Sequence, residues 1–178
     1  MKKRILTGTL FLLLSFNGFT QANEVPFSKD PKDAKFYTED IIKFWKVFDD
    51  TYPNFTASAF QERYIDSGSY GLKGFVKNRI ENGKNLSKVV KENLDYYQAT
   101  RESSLSIDKK KDRFYECFDN LKKIYPEAVF PDVYFVIGAK NSGGTAFNGG
   151  LIIGAEMFGK EKNDFRYDNT PDFRKSTN

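Results

Sequence analysis

The sequence contains no histidine among its 178 residues. Histidine is the usual base beside an activated serine or cysteine nucleophile, and it is a frequent ligand of catalytic zinc. Its absence excludes a Ser-His or Cys-His pair and the His-Glu-x-x-His zinc motif from this chain. The carboxylates show no spacing typical of a metal site either, so the sequence predicts no metal and no other cofactor.

Cysteine is nearly absent as well. Cys117 is the only one, which excludes an intrachain disulfide. It lies among Phe114, Phe118 and Leu121 at the three- and four-residue spacing of one helix face. We therefore expect its thiol to be buried and inert.

A long apolar run is also missing. The run from Ile5 to Phe16 is too short to span a bilayer as a helix. It follows the basic residues 2–4 and precedes Thr20-Gln21-Ala22, which has small residues at both key positions of a cleavage site. This pattern predicts a cleaved signal peptide over residues 1–22 and export to the periplasm or the medium. Because no cysteine lies near the cleavage site, we expect neither a lipid anchor nor a remaining transmembrane segment.

The charge balance gives no indication of a nucleic-acid partner. The whole chain has 28 Lys+Arg and 24 Asp+Glu, for a net charge of +4. Residues 1–22 contain three basic and no acidic residues, so the remainder carries 25 basic minus 24 acidic residues, or +1. A nearly neutral chain predicts no nucleic-acid binding, and its one basic cluster, Lys109–Lys111, fits a solvated helical turn.

Apolar residues recur at helical spacing between an extended polar leader at 23–35 and Pro126. This periodicity predicts five helices, which should bury Trp45, Phe75, Val89, Phe118 and Leu121. The predicted helices run from Thr38 to Pro53, from Thr56 to Ile65, from Gly71 to Ile80, from Asn85 or Ser87 to Tyr97, and from Asp108 to Tyr125.

Two short apolar runs follow, Val133–Ile137 and Leu151–Ile153, and they predict a buried strand pair. The fold class is therefore α+β: a mainly helical region, then a strand pair, within a single domain over residues 36–159. Residues 160–178 are polar and predict a disordered tail. Because that tail offers little cover, we expect exposed Phe135, Ile137, Leu151 and Ile153 to make the pair marginal and prone to aggregation. Asp132 and Glu156 flank the pair, and we interpret them as solvated residues at strand ends.

The segment from Gly138 to Gly150, which joins the two strands, is rich in glycine. Its first half, G-A-K-N-S-G-G-T, nearly matches a phosphate-binding loop, but Gly144 stands where the loop requires lysine. A second strand also follows where that motif requires a helix. The sequence therefore predicts no nucleotide binding. Asn and Gly are typical of turns, so the simplest interpretation of the segment is a long hairpin connection.

The same region resembles a known family. The phrases D-V-Y-F-V-I-G, N-S-G-G-T and N-G-G-L-I-I-G-A-E-M-F-G are similar to those of exported bacterial zinc-dependent proteases related to the gliding-motility lipoprotein GldB. The stretches Tyr64–Ile80 and Leu121–Asp132 resemble the same family. Together the resemblance covers residues 36–159 in matching order.

The resemblance implies a zincin-like peptidase whose His-Glu-x-x-His helix follows this stretch. The chain lacks that motif, so our first hypothesis is a truncated, inactive member that retains the start of the catalytic sheet; zinc is expected only in a full-length relative. In such folds an edge strand binds extended substrate. This implies a candidate substrate-cleft loop and edge strand formed by Asn141, Ser142, Gly143, Gly144, Thr145, Asn148, Gly149 and Gly150. The alternative is a non-catalytic envelope or secreted protein in a GldB-like role, with a peptide or protein as partner.

Overall fold

The computed structural model describes residues 27–159. The predicted signal peptide at 1–22, the start of the leader and the tail at 160–178 lie outside the described residues. Six α-helices and four strands are present in the described part. They are, in order, β1 (Phe36–Tyr37), α1 (Glu39–Thr51), α2 (Ala57–Phe60), α3 (Tyr70–Phe75), α4 (Gly83–Glu92), α5 (Leu94–Leu105), α6 (Lys111–Ile124), β2 (Val133–Val136), β3 (Gly144–Phe147) and β4 (Gly150–Gly154).

The first helix, α1, supplies the centre of the core. Acidic residues occupy its first turn, where the helix dipole favours negative charge. The Phe44 side chain is fully buried, and its ring contacts those of Phe60, Tyr64 and Tyr97. The buried indole N–H of Trp45 donates a hydrogen bond to Ser104 Oγ at 2.9 Å. These contacts join α1 to the segments on both sides of it.

The next helices follow the predicted limits with three differences. Thr56 caps α2, which continues as a π-helical segment to Ile65. Ser69, not Gly71, precedes and caps α3, which continues likewise to Ile80. The predicted fourth helix begins earlier than Asn85, at Gly83 after the Asn82 cap, and it is two helices, α4 and α5, because the helix is interrupted at Asn93. Its backbone φ is −128°, and its side chain bonds back to the Val89 carbonyl.

The α+β class is confirmed, although the sheet is larger than a strand pair. Its four strands lie in the order β1-β2-β4-β3. The two predicted strands, β2 and β4, are parallel neighbours and not the arms of a hairpin. The hairpin is instead formed by β3 and β4, which are antiparallel. The prediction missed β1, which contains two residues, and β3, which lies inside the glycine-rich segment.

The two faces of the sheet are covered unequally. Tyr134, Val136 and Ile152 lie on one face, called here the inner face, against α1 and α3. Val133, Phe135, Leu151 and Ile153 lie on the other, the outer face. On the outer face, Phe114 of α6 stacks on Phe135 with ring centroids 5.3 Å apart. Leu151 and Ile153 remain only half-buried.

The helix α6 differs most from the prediction. None of its residues is buried. Phe118 is half-buried, Leu121 is 44 % exposed, and Cys117 is exposed, so the expectation of a buried thiol is wrong. The reason is that α6 rests on the edge of the sheet through Phe114 and Phe118, and the other apolar residues of its stripe point away from it. Of the remaining residues expected inside, Trp45 and Phe75 are buried and Val89 is only half-buried.

The expected exposure of the predicted strand pair is largely wrong. Phe135 is 8 % exposed and Ile137 is fully buried. The helices before the pair fold back over it and cover these side chains. The part of the outer face that stays exposed lies over β4 and β3. Within residues 27–159, no helix combines the length and the apolar character needed to cross a bilayer.

Candidate functional site

The glycine-rich segment forms the open edge of the sheet. Its second half contains β3, which within residues 27–159 has β4 as its one sheet neighbour. Asn148 and Gly149 form the two-residue turn between these strands. An Asn-Gly pair between two apolar runs is a strong hairpin signal. That signal was available in the sequence and could have located β3.

Two glycines allow the hairpin to pack closely. Gly150 has φ +136°, and a Cβ atom there would lie 2.1 Å from the Asp132 carbonyl oxygen. Gly144 has φ +156°, and its Cβ would lie 2.4 Å from the Ile152 carbonyl oxygen. Both contacts are with backbone, which cannot move aside. Glycine is therefore required at both positions.

The main chain of β3 presents hydrogen-bonding groups outward. The Gly154 N–H donates to the Gly143 carbonyl at 3.1 Å, so these two residues form a hydrogen-bonded pair. In an antiparallel ladder such pairs recur at every second residue. The N–H and C=O groups of Gly144 and Ala146 therefore point away from β4, toward the open edge. Ala146 is also exposed.

The hydroxyl groups beside this edge make only local contacts. Ser142 Oγ lies 3.3 Å from the Gly144 carbonyl and 3.4 Å from the Gly144 N–H. Thr145 Oγ1 lies 3.3 Å from the Ala146 carbonyl. These are long hydrogen bonds, which an incoming main chain could displace at little cost. Asn141 is held more firmly, because its side-chain amide donates to the Arg79 carbonyl at 2.7 Å.

The buried carboxylate of Glu156 holds the start of the glycine-rich segment. Glu156 is 1 % exposed, so its interpretation as a solvated strand-end residue is wrong. Its carboxylate oxygens accept hydrogen bonds from the N–H groups of Gly138, at 2.9 Å, and of Lys140, at 3.3 Å. Asp132 lies at the opposite end of the strands, where it accepts a hydrogen bond from the Lys35 N–H. The two acids therefore do not form a catalytic pair.

Two buried tyrosines hold the same turn from the helical side. Tyr64 Oη donates to the Ile137 carbonyl at 2.7 Å, and Tyr97 Oη donates to the Gly138 carbonyl at 2.8 Å. Burial raises the pKa of both phenols well above the ordinary value, and the nearby Glu156 charge adds to the shift. Both hydroxyls therefore remain protonated donors. These hydrogen bonds hold the start of the glycine-rich segment in place, and β3 follows directly after it.

Aromatic rings line the inner face beside the open edge. Phe147 of β3 contacts Tyr70 and Tyr134, with ring centroids 5.2 and 5.7 Å apart. Tyr37 stacks on Tyr134 at 4.5 Å. Burial, reinforced by Tyr37, raises the pKa of Tyr134 to about 12. Tyr70 is 61 % exposed, so it offers an aromatic surface to anything that binds along β3.

The outer face opens into an apolar groove with a volume of about 1050 Å³. The sheet residues Phe135, Leu151 and Ile153 form its floor. Helices α5 and α6 form its walls, and Phe158 lies at one end. No pattern in the sequence indicates this groove, because it depends on how α5 and α6 pack over the sheet.

The residues present do not fit a zinc site. Within residues 27–159, no three acidic or cysteine side chains come close enough to hold a metal ion. The sequence has no histidine at all. Cys117 is exposed in the wall of the groove, and no histidine exists to activate it.

Comparison with known proteins identifies one family. A family model described as gliding motility protein GldB matches residues 20–177. No curated protein and no solved structure matches the chain. The family match covers most of the chain, including the helices, the sheet and its open edge.

Proposed function

This chain belongs to the GldB family of gliding motility proteins, and from that premise we propose that it is an exported, non-enzymatic component of the bacterial cell envelope. It binds an extended segment of a partner protein or peptide along β3. The observation that supports this proposal is the open edge at Gly144 and Ala146, with its outward main-chain groups. Such an edge accepts a further strand by main-chain hydrogen bonding.

The surroundings of β3 favour a peptide over other ligands. A strand added beside β3 places alternate side chains on the two faces of the sheet. On the inner face they meet Phe147 and the exposed ring of Tyr70. On the outer face they lie next to the exposed Ala146. The buried Glu156 and the two tyrosines keep β3 in place before a ligand arrives, which lowers the ordering cost of binding.

Edge strands usually carry features that discourage pairing, such as proline, inward-pointing charge or a bulge. The segment Gly144–Phe147 contains none of these residues. Its sequence, G-T-A-F, is uncharged and free of proline. An exposed edge strand without such features is consistent with a site where a strand of another molecule pairs.

The single substitution Ala146→Pro tests this function. Proline removes the outward N–H of residue 146 but leaves the hydrogen bonds between β3 and β4, because those use the neighbouring residues. We expect affinity for peptides selected from a random phage-displayed library to fall by about 30- to 100-fold. The reason is that one central main-chain hydrogen bond to the peptide is lost and the hydrogen bonds next to it are lost with it. Ala146→Val keeps the N–H and should bind within about threefold of the original chain.

The same pair of variants can be used in the bacterium that carries the gene. If the proposal is right, a strain lacking this protein regains surface spreading with Ala146→Val and not with Ala146→Pro. Circular dichroism must show that both variants are folded. Equal peptide binding by the two variants would place the ligand elsewhere and contradict the proposal.

The resemblance to zinc peptidases suggests a second function, which the residues of this chain do not support. A catalytic zinc needs three protein ligands and an open position for water. The chain has no histidine, and carboxylates alone favour harder ions. No hydrolytic step can be assigned to these side chains.

A direct measurement separates the two functions. We expect the purified protein, after dialysis, to hold less than about one zinc ion per ten chains, since no ligand set is available to retain it. We also expect no peptide cleavage that a chelator abolishes. Stoichiometric zinc together with chelator-sensitive cleavage would show that the chain is a peptidase after all.

A further inference from the structure

The apolar groove continues onto an exposed ridge of α6. Cys117, which lines the groove, is followed at helical spacing by Leu121 and Ile124. Leu121 is 44 % exposed and Ile124 is 83 % exposed. Residues spaced i, i+4 and i+7 lie on one side of a helix. We call the groove and this ridge together the outer surface.

The outer surface lies over strands that are usually covered. Parallel strands such as β2 and β4 normally have helices against both faces. Here α1 and α3 cover the inner face. On the outer face, Phe114 of α6 contacts the rings of Phe36 in β1 and Phe135 in β2. Leu151 and Ile153 of β4 line the groove and stay half-buried. In the part of the chain that the structure describes, the sheet therefore lacks part of one helical layer.

The floor of the groove limits what can fill it. The main-chain groups of β2 and β4 are used within the sheet, so the floor offers apolar contact and few hydrogen bonds. An occupant must therefore be apolar and must already satisfy its own main chain. An amphipathic helix meets both conditions. The described chain has one such helix with an uncovered apolar ridge, which is α6 itself.

The charges at the rim are also self-complementary. Glu102 on α5 and Lys110 before α6 both line the groove. Neither side chain forms an ion pair with another residue of the described part. In a two-fold symmetric interface, the same patch meets itself, so an acid on one copy can face a base on the other. An unpaired acid and an unpaired base on one rim fit such an arrangement.

We propose that a second copy of this chain covers the outer surface. The α6 ridge of each copy enters the groove of the other, and Glu102 of one copy lies near Lys110 of its partner. The interface is isologous, and it completes the helical layer over β4 in both copies. The open edge of β3 lies at the side of the sheet, outside this surface, so the inference does not depend on the proposed function.

Mass measurement in solution tests the proposal. Light scattering coupled to size exclusion should give twice the mass of one chain at micromolar concentration. The double variant Leu121→Asp, Ile124→Asp places two charges on the ridge and should raise the dimer dissociation constant by at least about 100-fold. The control is Ile42→Asp on α1, where Ile42 is 61 % exposed and lies outside the outer surface. That variant should remain dimeric.

Cys117 provides an independent readout because it is the only thiol and it lies on the ridge. A short bismaleimide should join two chains of the original protein through Cys117. In the variant Cys117→Ser, Ile42→Cys the thiol moves to α1, and we expect little joining at equal concentration.

Two results would overturn the proposal. One is the mass of a single chain at all concentrations up to about 100 μM, which would mean that any self-association is weaker than about 5 kcal/mol. The other is a dimer that survives the two aspartates, since its interface must then lie elsewhere. Either result would also exclude the ridge as a self-association surface while leaving the β3 proposal intact.

Discussion

Replacing Gly150 by alanine is expected to lower the free energy of unfolding by about 4 kcal/mol, from backbone strain together with overpacking. The new Cβ would lie 2.1 Å from the Asp132 carbonyl oxygen, and φ at this residue is +136°. That carbonyl also accepts a hydrogen bond from the Leu151 N–H at 2.9 Å. The substitution therefore separates β2 from β4 at the point where the two central strands begin to pair.

Urea denaturation followed by circular dichroism measures this loss. The matched control is Gly143→Ala in the same segment. A Cβ at Gly143 would meet the ring of Phe158 at 3.0 Å, but Phe158 is 66 % exposed and can rotate away. We expect the control to change stability by less than about 1 kcal/mol. Equal losses at the two positions would mean that the close approach of Gly150 to β2 is not what stabilises the hairpin.

Replacing Glu156 by leucine is expected to cost about 3 kcal/mol, because one buried and one half-buried N–H group lose their charged acceptor. These are the N–H groups of Gly138 and Lys140. Glu156→Gln keeps the shape and one acceptor oxygen, so a smaller loss of about 1 kcal/mol is expected. A larger stability loss in Glu156→Leu than in Glu156→Gln would show that the acceptor atoms matter more than the side-chain volume.

Amide hydrogen exchange locates the effect. In Glu156→Leu, the amides of Gly138 and Lys140 should exchange faster relative to the helical core, because the turn opens locally. The Phe44 amide in the centre of α1 serves as the reference. If the two turn amides keep their protection while global stability falls, Glu156 stabilises the core in some other way than by holding the turn.

These two substitutions bear on function through the same segment. Gly150 fixes the end of the hairpin nearest β2, and Glu156 fixes the turn that leads into it. Between them lies β3, whose outward main-chain groups are the basis of the proposed binding. A variant that loosens either end should weaken peptide binding even where the global fold survives, because the edge would no longer be held in place before binding.

The family assignment and the chemistry of the chain lead to different expectations. Membership in the GldB family connects the protein with gliding motility. The resemblance to zinc peptidases concerns the same sheet, but the histidines that such chemistry requires are absent. The function proposed above therefore uses the sheet as a binding scaffold, with β3 as the edge that binds the partner.

The helical region and the positions of the two central strands could be predicted from the sequence alone, and the lack of histidine can be read from it directly. Local signals are sufficient for these features: apolar residues at helical spacing in α1, the cap at Thr56, and unbroken apolar runs in β2 and β4. The lack of histidine is a matter of composition, so no fold can change what it excludes.

The pairing of the strands and the exposure of the surfaces depend on tertiary packing and could not be predicted from local sequence. Strand order, the parallel pairing of β2 with β4 and the edge position of β3 depend on contacts between residues far apart in the chain. Burial is decided in the same way: Glu156 looks like a solvated acid in sequence, yet the folded turn surrounds it. Cys117 looks buried, yet α6 contacts the sheet with a different part of its apolar stripe. Periodicity shows that a helix has an apolar face, but the packing of the whole molecule determines how much of that face is covered.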